Sequence, residues 1–395
     1  MHDAARARDF PVLIVGGGPA GLATALELAR HHVSVVVVER SAYDDVRVGE
    51  HLAPAGVLQL RALDPALAAA AGVHGESAGI TAYWGSETAH HTDYFLHPGQ
   101  HGLNLSRPRF DGDLARAAES SGVAIWRSAT VKRAVRSNAV WQVDIDRNGS
   151  TDRAAISLIV DATGRLATFS RRQGARIHAH DRQVAVVAFQ DCEEAAHSTR
   201  RSIIEAARDG WWYCAPINAT RSLCMFVTDH DLLPRGAKRE LRAWWLDRLG
   251  EATHVPQQFR EPARLREFVI RSARSQCLDI TSGSGWLAVG DAAMAFDPLA
   301  SQGIIKALDQ GRRAATSISA YLAGDDSSLE RFALHLRREY AIFQATRHQY
   351  YRLEQRWPQS IFWRRRNAVA DGRSDTISPS TSTALETIGL AESIP

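Results

Sequence analysis

Residues 10–39 constrain the fold more than any other stretch of the 395-residue chain. "FPVLIVG" is a short apolar run, "GPAGLATALELARHH" repeats its apolar residues at helical spacing, and "VSVVVVER" is a second continuous apolar run. Two such runs flanking a helix match parallel strands buried on both faces and joined by a crossover helix. Between the first run and the helix stand Gly16, Gly18 and Gly21, spaced G-x-G-x-x-G. Gly16 permits the tight turn, Gly18 lets a diphosphate approach the backbone, and Gly21 lets the helix pack against the strand. The free N–H groups and the helix dipole favour an anion there, the charge effect alone contributing about 0.3–1 kcal/mol. Glu39 closes the second run, where a carboxylate can accept from both hydroxyls of a ribose. Strand, glycine turn, helix and terminal acid together predict a dinucleotide-binding unit.

A second motif lies about 250 residues further on, "GDAAMAFDPLASQG" at 290–303, followed at once by the helical run "IIKALDQGRRAATSISAYL". Asp291, after a strand end, can hydrogen-bond a sugar-like chain. Pro298, Gln302 and Gly303 shape a turn whose amides, at the start of the Ile304 helix, face a group with partial negative charge. The pyrimidine edge of a flavin is such a group. Taken alone, the stretch also reads as an ordinary helix start capped by Ser301.

The chain exceeds the usual single-domain size, so two domains around a shared cleft are expected. Its 45% apolar and 23% charged residues suit a globular protein rather than a disordered one. Formal charge is +3, and the arginines are scattered among acids, which argues against a nucleic-acid face; the one dense cluster, Arg364–Arg365–Arg366, reads as a solvated helix end. No run of about 18 apolar residues occurs, so no membrane span is expected. Cys192, Cys214, Cys224 and Cys277 lack metal-ligand or disulfide-scaffold spacing, which points to the cytoplasm and to no structural metal.

Further strands are expected in "GVAIWRSATV", "ISLIVDATG" and "GWLAVGDAA", and a second set in "GITAYWG", "RQVAVVAFQD", "RSIIEAA", "GWWYCAPI" and "SLCMFVTD". The predicted fold is therefore α/β: a Rossmann-like FAD-binding domain with a parallel sheet (9–73, 100–180 and 275–325), interrupted by a mixed antiparallel-sheet substrate domain (74–99 and 181–274). A C-terminal helical segment (326–371) follows, opened by a Ser327–Glu330 capping box, and then a Ser/Thr-rich flexible tail (372–395).

"GGGPAGLATALELARHHVSVVVVER", "VGEHLAP", "LSRPRFDGDLARAA", "IVDATGR" and "GDAAMAFDPLASQGI" occur in the order seen in FAD-dependent monooxygenases of the para-hydroxybenzoate hydroxylase type. The chain resembles most the branch that contains flavin-dependent tryptophan halogenases. The resemblance implies that Gly16, Gly18, Ala20, Gly21, Glu39 and Arg40 hold the ADP half of FAD. It implies that Arg107 reaches the diphosphate and Asp291 the ribityl chain, with Pro298, Gln302, Gly303 and Ile304 at the ring. Gly49 and Glu50 are expected near the re-entry to the substrate side.

Halogenases of this branch use a lysine soon after the Gly-Glu segment and a glutamate in the "DPL-acid-Ser" position. Here the first lysine is Lys132, Ala300 stands at the glutamate position, and the tryptophan-x-tryptophan-x-Ile-Pro motif reads Trp211-Trp212-Tyr213-Cys214-Ala215-Pro216. Those departures resemble flavoproteins that oxidise a tryptophan of a partner polypeptide during quinone-cofactor maturation. The activity implied is hydroxylation of an electron-rich ring through a flavin C4a-hydroperoxide, with halogenation or hydroxylation of a small indole or phenol as the alternative. The flavin would be reduced by NAD(P)H directly or by a separate flavin reductase. Trp84, Trp211, Trp212 and Tyr213 are candidates for an aromatic substrate wall, and His51 and Asp297 for a general base, although strand aromatics and lone histidines also serve as core.

Overall fold

The computed structural model describes residues 10–69, 74–98, 101–191, 200–236, 238–255, 259 and 265–368. Val12–Val15 and Val35–Val38 pair in parallel, with Pro19–Arg30 as the crossover helix. They sit inside a six-stranded sheet whose order runs Ser282–Gly283, Trp286–Ala288, Leu158–Asp161, Val12–Val15, Val35–Val38, Ala124–Trp126. All its pairings are parallel except that of Ser282–Gly283 at the edge. All four valines of Val35–Val38 are buried, as a strand covered on both faces requires.

The stretch expected as one strand, "GVAIWRSATV", is two. It breaks at Ser128, whose φ of 52° ends the parallel strand and turns the chain into a separate antiparallel meander, Ala129–Ser137, Val140–Arg147 and Ser150–Ile156. Asn138–Ala139 and Asn148–Gly149, all with positive φ, make its two tight turns.

A seven-stranded mixed sheet forms the other main layer: Leu265–Ser272, Gln183–Asp191, Arg221–Asp229, Gly210–Asn218, Arg201–Ala207, Gly79–Tyr83 and His90–Asp93. Only the Arg201–Ala207 and Gly79–Tyr83 pair is parallel. Side chains alternate across this sheet. Trp212, Cys214, Cys224 and Phe226 pack with Trp245 from the helix Lys238–Glu251 on one face. Trp211, Tyr213, Ala215 and Met225 lie on the other face, with residues of the C-terminal helices.

The two glycine turns, far apart in sequence, meet because their helices pack directly. A Cβ on Gly311, in the helix Gly303–Leu322, would lie 2.7 Å from Ala20 O and Ala23 Cβ of the first helix, so only glycine permits the approach. Gln310 Oε1 accepts from the Gly290 amide at 2.9 Å, tying the second motif to the same contact.

At the C-terminal side, Ser328–Leu353 forms the expected long helix, followed by Ile361–Asn367. The capping box is absent: the Ser327 hydroxyl donates to Asp325 instead of capping the helix. The Arg364–Arg366 cluster is not simply solvated. Arg365 pairs with Asp229 and Asp231, and Arg366 is buried against Asp229 with its guanidinium over Phe362. The predicted tail from 372 lies outside the described residues. Among those described, no helix is long and apolar enough to cross a membrane.

Candidate functional site

Both uncapped helix starts open into one cleft of about 1000 Å³ between the two layers. Gly18 precedes the first helix without a side-chain cap, and Gln302 precedes the Gly303 helix without one; Ser301, in the left-handed region at φ 51°, is not the cap. A Cβ added at Gly18 or Gly303 would meet no atom within 4 Å, so both helix starts leave open space beside the backbone. Orphan N–H groups with aligned dipoles form sites for electronegative groups. A flavin dinucleotide, with a diphosphate in its middle and a carbonyl-rich pyrimidine edge at its ring, fits that spacing of donors.

Gly16 has φ 110°, and a Cβ there would lie 2.3 Å from Ala162 O. A Cβ on Gly21 would lie 2.1 Å from Gly16 O, so this glycine serves helix–strand packing and does not line the cleft. The remaining residues expected at the cofactor, Gly16, Gly18, Ala20, Glu39, Arg40, Gly49, Glu50, Arg107, Asp291, Pro298, Gln302, Gly303 and Ile304, all line it.

Glu39 accepts from the Gly17 amide at 2.7 Å, from the Ser41 amide and hydroxyl, and from Arg47 at 3.2 Å. Burial raises its pKa, but the bonds to Ser41 and Gly17 and the charge of Arg47 outweigh that and hold it below the usual range. Three of these donors converge on Oε1 while Oε2 takes only the Gly17 amide, so Oε2 keeps room to accept from a ribose hydroxyl. Arg107 pairs with Asp111 at 3.2 Å and donates to Val48 O at 2.8 Å and Gly49 O at 3.3 Å. It therefore also pins the loop at Gly49, whose φ is 107°.

Asp291 reaches the floor of the cleft, paired with Lys306 at 2.8 Å and Arg165 at 3.4 Å. Enclosure raises its pKa, but Lys306 and Arg165 outweigh this and keep the carboxylate ionised. Lys306 is buried; its ammonium also donates to Met294 O and lies 4.6 Å from the Phe296 ring centroid. Arg47, Asp111, Arg165 and Lys306 were not anticipated from sequence. Only Asp111 carried a signal, its i,i+4 spacing from Arg107 on one helix.

On the substrate side His51 is buried, and burial pushes its pKa down to about 4, so the imidazole is neutral at pH 7. Nε2 lies 3.1 Å from Tyr94 Oη, while buried Nδ1 has no hydrogen-bond partner among the described residues. Glu50 is buried beside Tyr213; burial raises its pKa, opposed by bonds from the Gly49 amide and Tyr213. Burial and the Glu50 charge in turn hold the Tyr213 phenol well above its ordinary value, so it stays protonated.

Two expectations need correction. Of the four aromatic candidates only Tyr213 lines the cleft. Trp212 points to the far face of the sheet against Trp245, 5.1 Å away between centroids. Trp211 and Trp84 pack against Tyr351, with Trp211 Nε1 donating to Tyr351 Oη at 3.1 Å and Trp84 Nε1 to Tyr350 O at 2.8 Å. Asp297, expected as a base, has its carboxylate buried and engaged by Leu299 N, Arg347 and Tyr351. A buried carboxylate tied to a guanidinium, a tyrosine hydroxyl and a backbone amide serves as a structural anchor.

Two paired glycine turns, an acid at the ribose position and an aspartate at the second turn define a flavin-dinucleotide enzyme. The chain belongs to the family described as FAD binding domain, whose model matches residues 9–337, and it is an FAD-dependent oxidoreductase. It is similar to the putative FAD-dependent oxidoreductase LodB of Marinomonas mediterranea, 29% identical over 368 residues that cover 91% of this chain and 98% of LodB. It is also similar to the flavin-dependent halogenase gsfI of Penicillium aethiopicum, 28% identical over 84% of this chain and 69% of that protein. Among solved structures, the flavin-dependent halogenase CmlS shares the fold with a TM-score of 0.83 at 23% identity, over 94% of this chain and 69% of CmlS. QhpG, a peptidyl tryptophan dihydroxylase essential for tryptophylquinone cofactor biogenesis, superposes with a TM-score of 0.76 at 25% identity, over 94% and 80%.

Proposed function

We propose that the protein is an FAD-dependent monooxygenase that hydroxylates an electron-rich aromatic ring, the indole of a tryptophan in a partner polypeptide. The observation that carries this reading is the substrate-side wall. Tyr213, on the cleft face, stands at the second tryptophan position of the halogenase motif, Ala300 at its glutamate position, and no lysine precedes Lys132. Without those two polar groups nothing would direct a hypohalous acid onto a ring. The similarity to QhpG, a peptidyl tryptophan dihydroxylase of tryptophylquinone cofactor biogenesis, supports a polypeptide substrate.

FAD, reduced by NAD(P)H or by a separate flavin reductase, supplies an electrophilic hydroxyl drawn from dioxygen. The chain's own residues bind, orient and move protons. The first-helix amides and Glu39 would hold the ADP half; Asp291, with Lys306 behind it, would hold the ribityl hydroxyls; the Gly303 and Ile304 amides would serve the pyrimidine edge. His51, neutral with Nδ1 unpartnered, takes the proton that leaves the ring, while Tyr94 fixes its orientation. Glu50 and Tyr213 offer a hydrogen-bonding wall to the indole N–H.

The deciding experiment incubates FAD-loaded protein with NADH, a flavin reductase, air and a tryptophan-containing polypeptide, with and without bromide, and reads mass. Gain of one or two oxygen atoms on tryptophan, independent of halide, is expected. A bromide-dependent gain of bromine mass overturns the reading in favour of halogenation. Oxygen gain on free indoles or phenols alone restricts it to a small-molecule hydroxylase.

A further inference from the structure

Asp297, freed from the role of base, is the node of a buried network that leaves the cleft. Its Oδ1 accepts from the Leu299 amide at 3.0 Å, and its Oδ2 from Arg347 Nε at 2.8 Å and Tyr351 Oη at 2.9 Å. Arg347 Nη2 donates onward to Asp181 at 2.9 Å and to Gln183 Oε1 at 3.0 Å. Tyr351 Oη accepts from Gln183 Nε2 at 2.8 Å and from Trp211 Nε1 at 3.1 Å. One hydroxyl thus donates once and accepts twice, which exhausts its capacity. Asp297, Gln183 and Tyr351 are buried, and the Arg347 side chain is only 12% exposed.

The location gives this network its meaning. Asp297 opens the turn Pro298–Ala300 that runs through Ser301 to the uncapped helix start at Gly303. Within the turn only two backbone bonds are made, Ala300 N to Asp297 O and Ser301 N to Pro298 O. The direction in which the Gly303 and Ile304 amides point therefore depends on where Asp297 is anchored. Arg347 and Tyr351, which anchor it, come from the helix Ser328–Leu353 and lie beyond residue 337, where the family match ends. Neither lines the cleft.

We propose that Arg347 and Tyr351 are positioning residues for the flavin. Through Asp297 they hold the 297–303 turn in the orientation that offers its amides to the pyrimidine edge, and Arg347 neutralises the carboxylate behind that turn. The C-terminal helix is thereby part of the cofactor site. This rests on FAD binding, which the family establishes, and not on the hydroxylation reading, so either can fail alone.

The test uses the full chain, stripped of flavin and titrated with FAD by fluorescence, followed by the midpoint potential of the reloaded protein. Arg347→Met leaves a buried charge without its partner, so the Kd for FAD rises about tenfold or more. The potential moves negative, because an uncompensated anion opposes electrons added to the ring. The double variant Asp297→Asn/Arg347→Met removes the charge on the turn together with its partner, leaving only Asp181 behind it unpaired, and recovers a clear part of the affinity and of the potential. Tyr351→Phe weakens FAD several-fold with the potential unchanged. A Kd within about twofold of the parent and an unshifted potential in Arg347→Met overturn the proposal, as does a double variant no better than the single one. Should Arg347→Met fail to fold, Tyr351→Phe and Asp297→Asn keep side-chain volume and decide alone: unchanged Kd in both sinks the idea.

Discussion

The two ends of the cleft were built by different means. At the nucleotide end, the first contacts come from one short stretch, residues 16–39: a glycine turn, the helix start behind it and one acid. At the substrate end, contacts come from side chains gathered from remote segments: His51 with Tyr94, Glu50 with Tyr213. Backbone sites tolerate change around them and fail abruptly when a glycine is replaced. Side-chain sites fail by degrees, because each partner contributes separately.

The sharpest way to break this contrast is at the two faces of the strand Gly210–Asn218. Trp212→Ala removes a fully buried indole packed against Trp245 and Phe226, so stability falls by about 3–5 kcal/mol in denaturant titration. Product identity in the surviving folded fraction stays the same, because Trp212 does not reach the cleft. A changed product would return Trp212 to the substrate wall.

At the nucleotide end, two glycine variants separate folding from binding. Gly16→Ala forces a Cβ against Ala162 O at φ 110°, adding strain of about 1–3 kcal/mol before the clash is relieved, so both melting temperature and FAD binding drop. A Cβ at Gly18 meets no protein atom, so Gly18→Ala folds normally, and its methyl group, standing where the diphosphate approaches, weakens FAD. Equal FAD affinity in Gly18→Ala would show that the diphosphate does not lie on this turn. Glu39→Gln is milder. It removes a buried charge that accepts four hydrogen bonds, and FAD weakens by roughly the 1.5–3 kcal/mol of a charged hydrogen bond, read by titration.

The same division explains what could be read from the chain. Gly16, Gly18 and Glu39 announce themselves because backbone chemistry leaves a local pattern, and that pattern survives folding intact. The paired helices were legible as helices, but not their crossing, which depends on Gly311 meeting Ala20 and Ala23. The aromatic wall misled because "DGWWYC" alternates across a sheet covered on both faces, and sequence alone cannot tell which face meets the cleft. Asp297 looked like a base on the flavin turn because its partners, Arg347 and Tyr351, stand about 50 residues away. Lys306 was hidden for a related reason: a lysine inside a helix normally faces water, and only the tertiary fold shows this one closing onto Asp291.

The most gradual effect concerns pH at the substrate end, because it is spread over more than two pH units. His51 has a folded pKa of about 4 against an ordinary 6.5, so in this range the unfolded chain binds the proton that the folded chain refuses. Its contribution is complete above pH 6.5 and disappears as pH falls towards 4, about 3 kcal/mol over the whole window. His74, also buried and lowered to about 4, acts in the same direction, with the Arg109 charge adding to burial. Urea titrations at pH 7.5, 6 and 5 are expected to show stability falling with acid, and His51→Gln to flatten roughly half of that slope. Turnover adds a second reading. With His51 as base, kcat stays level between pH 8 and about 5, because the neutral imidazole persists throughout that range. A kcat that instead falls with an apparent pKa near 6.5 would mean that the acting base is a solvated group, and His51 would be core packing beside the cleft.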